Sequence, residues 1–447
     1  MSFRLYESYR ESGVRWLGSV PSGWTVKAIK HCFSVVGGST PKSEVEEFWD
    51  GEHVWVTPAD LSGLSGFGIV DSARRITDAG LESCGTNLVP PGSIVLSTRA
   101  PIGSLAIAGT SLCTNQGCKS LVPKQGVVPR YFAYVLSIAG EELNLRGRGT
   151  TFLELSADAL GAFEVVVPTA MEQVAIAAFL DRETAKIDAL VEEQKRLIEL
   201  LKEKRQAVIS QAVTKGLDPS VPMKDSGVEW IGTLPSHWRV LRVKAVARLE
   251  SGHTPSKQVP EYWENCDIPW VSLNDSKQLA ASDYISETAF QINALGLENS
   301  SARMLPTESV VFTRDATIGL AAITTRPMAV SQHLIAWCPG KDIDALYLLR
   351  VFNVMKEWLD AATFGATIKT IGMADVKKLV TPVPPVAEQR EIAAFIDKRK
   401  SEFDSLIDAA ESATSLLRER RSALISAAVT GKIDVRGLVP QPEVIAA

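Results

Sequence analysis

Four short polar segments each occur twice in this chain of 447 residues, about 215 residues apart. The first is Gly38-Ser39-Thr40-Pro41-Lys42, which returns as Gly252-His253-Thr254-Pro255-Ser256-Lys257. Tight loops of this kind offer hydroxyl groups, backbone N–H groups and an ammonium group, which are the usual partners of phosphate oxygens. The residues predicted to bind such a ligand are Ser39, Thr40, Lys42, His253, Thr254 and Lys257. The structural alternative is that the repeated Gly and Pro only preserve a turn.

The other three repeated segments carry guanidinium, amide and hydroxyl groups. Thr98-Arg99 and Thr313-Arg314 each follow an apolar run and precede an Ile-Gly turn. Arginine forms bidentate contacts with phosphate or guanine, and side-chain amides match an adenine edge. The alternative is that each arginine braces its own domain. The residues predicted from these segments are Thr98, Arg99, Asn115, Gln116, Arg146, Arg148 and Thr151 in the first copy and Thr313, Arg314, Gln332, His333, Thr367 and Lys369 in the second.

Motifs for catalysis, metals or cofactors are missing from the sequence. No Gly-x-x-x-x-Gly-Lys-Ser/Thr loop exists, and the double prolines Pro90-Pro91 and Pro384-Pro385 lack the flanking residues of an adenine methyltransferase motif. The five histidines are isolated, and the six cysteines do not recur between the two halves. We therefore predict no catalytic residue, metal site or cofactor site in this chain, and reduced cysteines.

The elements that must position these segments are also duplicated. Gly13-Val14-Arg15-Trp16-Leu17-Gly18 returns as Gly227-Val228-Glu229-Trp230-Ile231-Gly232, and Glu172-Gln173 returns as Glu388-Gln389. A period this long exceeds that of solenoid repeats, so each copy is a complete domain. The chain is thus a covalent pseudo-dimer with two similar surfaces. The repeated tryptophans are interpreted as core residues.

Each copy has the same predicted order, in which short strands and helices precede one long helix. Apolar residues at helical spacing run from 176 to 208 and from 392 to 425. A helix of some 40 residues needs a partner for its apolar side, and the other copy of the helix is the obvious one. The alternative is that each helix packs separately on its own domain.

The sequence therefore predicts an α+β protein with two tandem mixed α/β domains separated by two long helices that form an intramolecular antiparallel coiled coil. The predicted boundaries are 1–168 and 216–384 for the domains, 169–215 and 385–432 for the helices, and 433–447 for a C-terminal tail.

The composition is typical of a water-soluble protein and does not by itself indicate a nucleic-acid binder. The chain is 45% hydrophobic and 22% charged, with a net charge of −5, so any DNA contact must come from local patches or be shared with a basic partner. No apolar run reaches the roughly 18 residues of a membrane span, and the N-terminus lacks a secretory signal, so we expect a cytoplasmic location and no membrane contact.

The duplicated motifs closely resemble those of the specificity subunits of type I restriction–modification systems. The resemblance is carried by Gly227-Val228-Glu229-Trp230-Ile231-Gly232-x-x-Pro235-x-x-Trp238, the Gly-x-Thr-Pro loops, Trp270-Val271-Ser272, Glu388-Gln389-x-x-Ile392-Ala393-x-Phe395-x-Asp397 and Leu424-Ile425-x-x-Ala428-Val429-Thr430-Gly431, with the matching first copies. It covers essentially the whole chain. One departure is that the spacing from arginine to glycine differs by one residue between copies, which affects the exact contacts.

The resemblance implies two target recognition domains, each of which reads one half of an interrupted double-stranded DNA target. It also implies two methyltransferase subunits that use S-adenosylmethionine to methylate adenine, and through them restriction subunits that use ATP and Mg. Members of the family have no catalytic centre of their own. The alternative function is a tandem-domain coiled-coil scaffold that does not bind DNA. A stand-alone methyltransferase would need a cofactor motif that the sequence does not contain.

Overall fold

The computed structural model describes residues 3–64, 66–99, 101–148, 153–361 and 370–438. The chain divides into two compact units, Met1–Gln194 with Ser412–Ala447, and Lys195–Glu411. We call them unit 1 and unit 2. Each contains one mixed α/β domain, the half of one long helix that adjoins this domain, and a half of the other helix.

The strands of the first copy are β1 (Tyr9–Glu11), β2 (Ser19–Pro21), β3 (Thr25–Ala28), β4 (Phe33–Gly37), β5 (Trp49–Val56), β6 (Gly68–Ile69), β7 (Arg75–Ile76), β8 (Ile94–Ser97), β9 (Leu105–Ala108), β10 (Leu112–Thr114), β11 (Cys118–Pro123) and β12 (Glu164–Val167). Its helices are α1 (Ile29–Cys32), α2 (Pro58–Ser62), α3 (Asp78–Glu82), α4 (Pro129–Ile138), α5 (Gly140–Leu145), α6 (Ala157–Gly161) and the long α7 (Ala170–Lys215).

The strands of the second copy are β13 (Met223–Asp225), β14 (Thr233–Pro235), β15 (Arg239–Arg242), β16 (Ala247–Ser251), β17 (Ile268–Val271), β18 (Tyr284–Ile285), β19 (Phe290–Ile292), β20 (Val310–Thr313), β21 (Ala321–Thr324), β22 (Ala329–Val330), β23 (Leu334–Pro339) and β24 (Val380–Val383). Its helices are α8 (Val243–Val246), α9 (Ser276–Ala281), α10 (Ala294–Glu298), α11 (Ala345–Ala361), α12 (Met373–Val376) and the long α13 (Val386–Val429).

The two domains have the same sheet topology. Unit 1 has a five-stranded sheet in the order β4-β11-β8-β9-β6, and unit 2 repeats it as β16-β23-β20-β21-β18. A three-stranded sheet, β10-β5-β7, likewise returns as β22-β17-β19. The segments 62–92 and 277–305, which repeat poorly in sequence, supply equivalent strands in both domains: β6 pairs parallel with β9, and β18 pairs parallel with β21. The duplication of the fold is therefore more complete than the duplication of the sequence.

The long helices span Ala170–Lys215 and Val386–Val429. At the start of α7, Thr169 and Glu172 form a capping box, in which the Thr169 hydroxyl donates to Glu172 Oε2 at 2.7 Å and the Glu172 N–H donates to Thr169 Oγ1 at 3.4 Å. The chain leaves α7 through Gly216 (φ 74°) and leaves α13 through Gly431 (φ 74°), a conformation that favours glycine.

Within unit 1, the first part of α7 packs against the last part of α13. Ile176 and Phe179 share a hydrophobic core with Ile425 and Val429. Arg421 Nε donates to Asp188 Oδ1 at 2.8 Å on the surface of this helix pair.

Within unit 2, the last part of α7 packs against the first part of α13. Val213 shares a core with Ile392, and Ile198 packs with Ile407 in a smaller cluster. Arg205 and Asp404 form an ion pair across the two helices. The helices therefore pair in antiparallel directions in each unit, as predicted, and the alternative of separately packed helices is wrong.

Some of the apolar residues predicted along the long helices are not buried between the two helices. Leu190, Leu197 and Leu406 were expected to face the partner helix, yet all three are exposed. An antiparallel pair of helices buries a narrower stripe than a helix packed on a domain, so apolar residues at the margin of the stripe stay in solvent.

Candidate nucleic-acid interface

The Gly-x-Thr-Pro loop of unit 1 follows β4 and runs against the end of β10. A Cβ atom on Gly38 would lie 2.1 Å from the carbonyl oxygen of Asn115 and 2.3 Å from that of Thr114, so only glycine fits. The Ser39 N–H donates to the Thr114 carbonyl at 3.0 Å. The loop and the Asn115-Gln116 turn are thereby held side by side.

Unit 2 builds the same junction with different side chains. A Cβ atom on Gly252 would lie 2.0 Å from the carbonyl oxygen of Val330 and 2.3 Å from that of Ser331. The His253 N–H donates to the Val330 carbonyl at 3.1 Å. The repeated glycine therefore preserves a close backbone contact, in agreement with the structural alternative for that residue.

A threonine hydroxyl contacts a glutamine amide in both units. Thr40 Oγ1 donates to Gln116 Oε1 in unit 1, and Thr254 Oγ1 donates to Gln332 Oε1 in unit 2. Each contact joins two segments that the sequence analysis predicted separately as binding segments. Both glutamines are exposed.

Two tryptophans fix the backbone of each loop. Trp55 Nε1 donates to the Ser39 carbonyl at 3.0 Å, and Trp49 Nε1 donates to the Lys42 carbonyl at 3.2 Å. The Trp49 and Trp55 rings meet edge to face at 5.1 Å, in line with their interpretation as core residues. The guanidinium group of Arg74 lies 3.5 Å from the centre of the Trp49 ring. The side chain of Lys42 is exposed beside this rigid base.

The same arrangement holds the second loop. Trp270 Nε1 donates to the His253 carbonyl at 3.1 Å, and Trp263 Nε1 donates to the Ser256 carbonyl at 3.2 Å. Their rings meet edge to face at 5.4 Å. Lys257 is exposed, as Lys42 is.

The two repeated arginine segments lie beside the glutamine turns, since the Thr98 N–H donates to the Gly117 carbonyl at 2.8 Å and the Arg314 N–H donates to the His333 carbonyl at 3.0 Å. The two arginine side chains, however, have different partners. Arg99 Nη2 lies 3.1 Å from Glu154 Oε2, and both side chains are partly exposed. Arg314 is more enclosed, and its Nε, which is buried without a hydrogen-bond partner, lies 3.7 Å from Asp315 Oδ1. The Arg99 side chain is thus placed to exchange a surface carboxylate for another anion at little cost.

A chain of side-chain contacts occurs in unit 2 around Gln332. His333 Nδ1 lies 2.7 Å from Asp315 Oδ2, and His333 Nε2 lies 3.3 Å from Gln332 Nε2. Since the Gln332 oxygen accepts from Thr254, its Nε2 donates, so His333 Nε2 accepts and His333 Nδ1 donates to Asp315. This chain orients the Gln332 amide with one N–H left to offer. In unit 1 the residue after Gln116 is Gly117, so this series of side-chain contacts occurs in unit 2 and has no counterpart at that position of unit 1.

The remaining residues predicted from the sequence fall into four groups. Thr98 and Thr313 are buried, with Thr98 Oγ1 donating to the Gly117 carbonyl at 3.2 Å and Thr313 Oγ1 to the Thr317 carbonyl at 2.5 Å, which favours a role inside each domain. Asn115 Oδ1 accepts from the Gly117 N–H at 2.9 Å and shapes its turn, and Arg146 lies 4.8 Å from the centre of the Phe163 ring. Arg148 is exposed. Thr151, Thr367 and Lys369 lie outside the described residues.

Sequence reasoning missed the acidic partners of the site. Glu154 and Asp315 were not nominated, although Asp315 directly follows Arg314 in the sequence. The position of Asp315 directly after Arg314 was the only sign in the sequence that the two interact. Nothing in the spacing indicates that Asp315 faces His333. Arg74 was also missed, since it lies in the poorly repeated segment.

No group of three potential metal-binding residues occurs among the residues that the structure describes. All six cysteines are free thiols, and burial raises the pKa of Cys113 to about 11 and that of Cys118 to about 12, so both stay protonated at neutral pH. In the described part of the chain, no helix has the length and apolar character needed to cross a bilayer.

Comparisons with known proteins agree with this architecture. The type I restriction modification DNA specificity domain matches residues 21–200 and again residues 235–409. The chain is 28% identical over 461 residues to the type I restriction enzyme MjaIX specificity subunit of Methanocaldococcus jannaschii, covering 98% of this chain and 99% of that protein. It is 25% identical over 201 residues to the EcoR124I/EcoR124II specificity subunit of Escherichia coli, covering 43% and 46% of the two chains.

Two solved structures share the fold. The HsdS subunit from Thermoanaerobacter tengcongensis superposes with a TM-score of 0.58 at 16% identity, covering 95% of this chain and 100% of that one. A chain from a structure of the complex assembly and conformational transition of the type I R-M system superposes with a TM-score of 0.64 at 17% identity, covering 94% and 99%.

Two domains of one topology, each with a polar loop cluster at the tip of its sheet, define a tandem recognition protein. The chain belongs to the family of type I restriction modification DNA specificity domains, which it contains twice. This membership confirms the resemblance drawn from the sequence motifs, the fold class, and the interpretation of the chain as a recognition subunit.

Proposed function

We propose that this chain is the DNA sequence-specificity subunit of a type I restriction–modification complex and that each unit reads one half of a bipartite, interrupted target. The observation that carries the proposal is the recurrence of one loop cluster in two domains. Thr40 with Gln116, and Thr254 with Gln332, lie at equivalent positions on the two five-stranded sheets. A duplicated cluster of this kind suits two separate blocks of bases.

The side chains divide into base-reading and phosphate-binding groups. Gln116 and Gln332 present oriented amides that match an adenine edge, and Arg99 and Arg314 carry the group best suited to guanine or phosphate. Lys42 and Lys257 are exposed ammonium groups that position the backbone without reading sequence. Ser39, His253 and Arg148 adjoin these groups, and Thr151, Thr367 and Lys369 complete the proposed set.

The proposal includes partners that supply chemistry and positive charge. The chain has a net charge of −5, so strong DNA affinity requires a more basic complex. We propose two methyltransferase subunits, which bring S-adenosylmethionine, and restriction subunits, which bring ATP and Mg, in the cytoplasm. No described contact favours the alternative of a scaffold that does not bind DNA.

The test is DNA binding by the chain in complex with its methyltransferase partner, measured against salt concentration. We expect a steep fall of log affinity with log salt, and Lys42→Ala should reduce the slope by about 1. Lys27→Ala, on strand β3 outside the loop cluster, is the matched control and should leave the slope unchanged. Affinity that does not depend on salt would contradict the proposal.

A further inference from the structure

One exposed position beside the three-stranded sheet carries a different kind of side chain in each unit. In unit 1 it is Arg74, which directly precedes β7, and in unit 2 it is Phe290, the first residue of β19. The strand pairings make the two positions equivalent, because the next residue, Arg75 or Gln291, lies opposite the matching residue of β5 or β17. Both Arg74 and Phe290 are exposed.

Three hydrogen bonds fix the backbone that leads to this position in unit 1. The Ser72 hydroxyl accepts from the Trp55 N–H at 3.0 Å and donates to the Arg74 carbonyl at 2.7 Å. The Ala73 N–H donates to Asp60 Oδ1 at 2.8 Å. The backbone of Arg74 is therefore held in place by its own domain.

Unit 2 repeats the same three hydrogen bonds. The Thr288 hydroxyl accepts from the Trp270 N–H at 3.1 Å and donates to the Phe290 carbonyl at 2.6 Å. The Ala289 N–H donates to Asp275 Oδ1 at 2.7 Å. The two units thus present one backbone geometry and exchange only the side chain that it carries.

The Arg74 guanidinium group is positioned by a ring. It lies 3.5 Å from the centre of the Trp49 ring, whose Nε1 donates to the Lys42 carbonyl, so Arg74 belongs to the loop cluster. Stacking on a ring face leaves the N–H donors in the plane of a guanidinium group free. Among the described residues, none forms a hydrogen bond or an ion pair with the Arg74 side chain, whereas the neighbouring Arg75 pairs with Asp71. Arg74 therefore offers a fixed pair of donors to a ligand.

Phe290 offers an apolar surface at the same place. Side chains alternate along a strand, so Phe290 shares a face of the sheet with Ile292, which packs with Trp263 and Trp270. Its side chain is 49% exposed. In the major groove, paired arginine donors match the O6 and N7 atoms of guanine, and an apolar side chain matches the methyl group of thymine. The exchange of Arg74 for Phe290 therefore changes the base that suits this position.

We infer that this position is a specificity determinant of both units, at which Arg74 reads a guanine in one half-site and Phe290 contacts the methyl group of a thymine in the other. The inference rests on the proposed function and adds the base that each unit prefers at one position. It explains how two domains of one topology can read different half-sites.

The first arm of the test is competition binding by the chain and its methyltransferase partner, with single-base variants of the target. Arg74→Ala should lower the preference for guanine at one base pair of the first half-site about tenfold, and Arg74→Lys should lower it similarly because it loses the planar pair of donors. Arg75→Ala is the matched control and should leave every preference within about twofold, since its ion pair is exposed.

A phosphate contact would give a different result. Arg74→Ala would then weaken binding to all targets alike and reduce the salt slope by about 1, and Arg74→Lys would restore both. That pattern, or no effect of Arg74→Ala on any base preference, would overturn the inference.

The second arm transfers the side chain to the other unit. Phe290→Arg should change the preferred base at one base pair of the second half-site from thymine to guanine, as read by adenine-methylation mapping. Gln291→Arg, which adds the same charge at the next residue of the strand, is the matched control and should leave the target unchanged. An unchanged target with Phe290→Arg, in a wild-type background that methylates a two-part target, refutes the inference alone. A wild-type chain that directs no sequence-specific methylation with its partner refutes the proposed function.

Discussion

The indole N–H of Trp24 donates a hydrogen bond to Glu172 Oε1 at 3.1 Å, which ties the first domain to the first turn of its long helix. Trp238 repeats the contact with Glu388 Oε1 at 3.0 Å. Both indoles are buried, and the carboxylates lie where the helix dipole favours negative charge. The most repeated motif of the sequence is therefore a joint between each domain and the helix that carries it.

Replacing Trp24 by Phe should weaken the contact between the first domain and the start of α7. The loss of a hydrogen bond to a charged group is expected to cost about 1.5–3 kcal/mol of unfolding free energy in unit 1. Hydrogen exchange of the amides at the start of α7 measures it. The matched control is Trp16→Phe, because the Trp16 N–H is buried without a hydrogen-bond partner and its removal should cost nothing. Equal losses of hydrogen-exchange protection at the start of α7 in the two variants would contradict this role of the Trp24 hydrogen bond.

Arg350 should give unit 2 a dependence on acidic pH. Its side chain is 3% exposed and binds Asp283 in two contacts, at 2.9 and 2.7 Å, and also Asp397 of α13. Burial alone would raise the pKa of Asp283, but the hydrogen bonds and charge of Arg350 hold it below its ordinary value. A depressed pKa means stability that is present above the unfolded pKa of about 3.9 and is lost as pH falls through the folded value.

Replacing Arg350 by Met should therefore destabilise unit 2 by about 1–3 kcal/mol at neutral pH, because the half-buried Asp283 loses two hydrogen bonds and keeps only its contact with Lys400. Denaturation at pH 7 and pH 4 should show a smaller penalty at the lower pH, where Asp283 can take up a proton. Arg130→Met is the control in unit 1, since the ion pair of Arg130 with Asp181 is half exposed and should contribute less than about 1 kcal/mol. A penalty that grows on acidification would be inconsistent with this assignment.

The fold could be predicted almost entirely from repetition and periodicity. Strands such as β8 and β20 begin with three consecutive apolar residues, and the capping box at Thr169 marks the start of α7. The exposure of Leu190 and Leu406 could not be predicted, because spacing alone does not tell a residue in a helix seam from one at its margin.

The site was predicted less completely than the fold. Gly38 and Gln116 were found because both copies keep them, and the structure places their segments together. Asp315 and Glu154 were missed because a carboxylate that pairs across a loop leaves no periodic signal. The burial of Thr98 could not be predicted for a related reason. Its hydroxyl donates to the carbonyl of Gly117, and no sequence pattern distinguishes such a buried threonine from an exposed one.

His333→Phe should impair reading by unit 2 only. The substitution removes the acceptor that orients the Gln332 amide. Discrimination at one base pair of the second half-site should fall about tenfold, at the lower end of the 1–3 kcal/mol that a bidentate base contact provides. Competition binding with single-base variants of the target measures this. A loss spread evenly over both half-sites would show that His333 acts through general stability.

Lengthening both long helices should widen the gap in the DNA target. Four residues inserted near Lys195 and near Glu411 add about 6 Å of helix and keep the apolar stripe nearly in phase, since a turn takes 3.6 residues. At about 3.4 Å per base pair, the spacer should grow by nearly two base pairs with unchanged half-sites. Methylation mapping reads the spacer directly, and an unchanged spacer would refute the idea that the helices set it.

The most direct test of the central claim is adenine-methylation mapping in cells that express the chain with its methyltransferase partner, for the wild type and for Gly38→Ala and Gly252→Ala. The added Cβ atoms would displace one loop each, and Gly37→Ala, whose Cβ would meet nothing within 4 Å, is the control. We predict an interrupted two-part target, of which Gly38→Ala disturbs one half and Gly252→Ala the other. A continuous target, or the loss of both halves in each variant, would contradict the account.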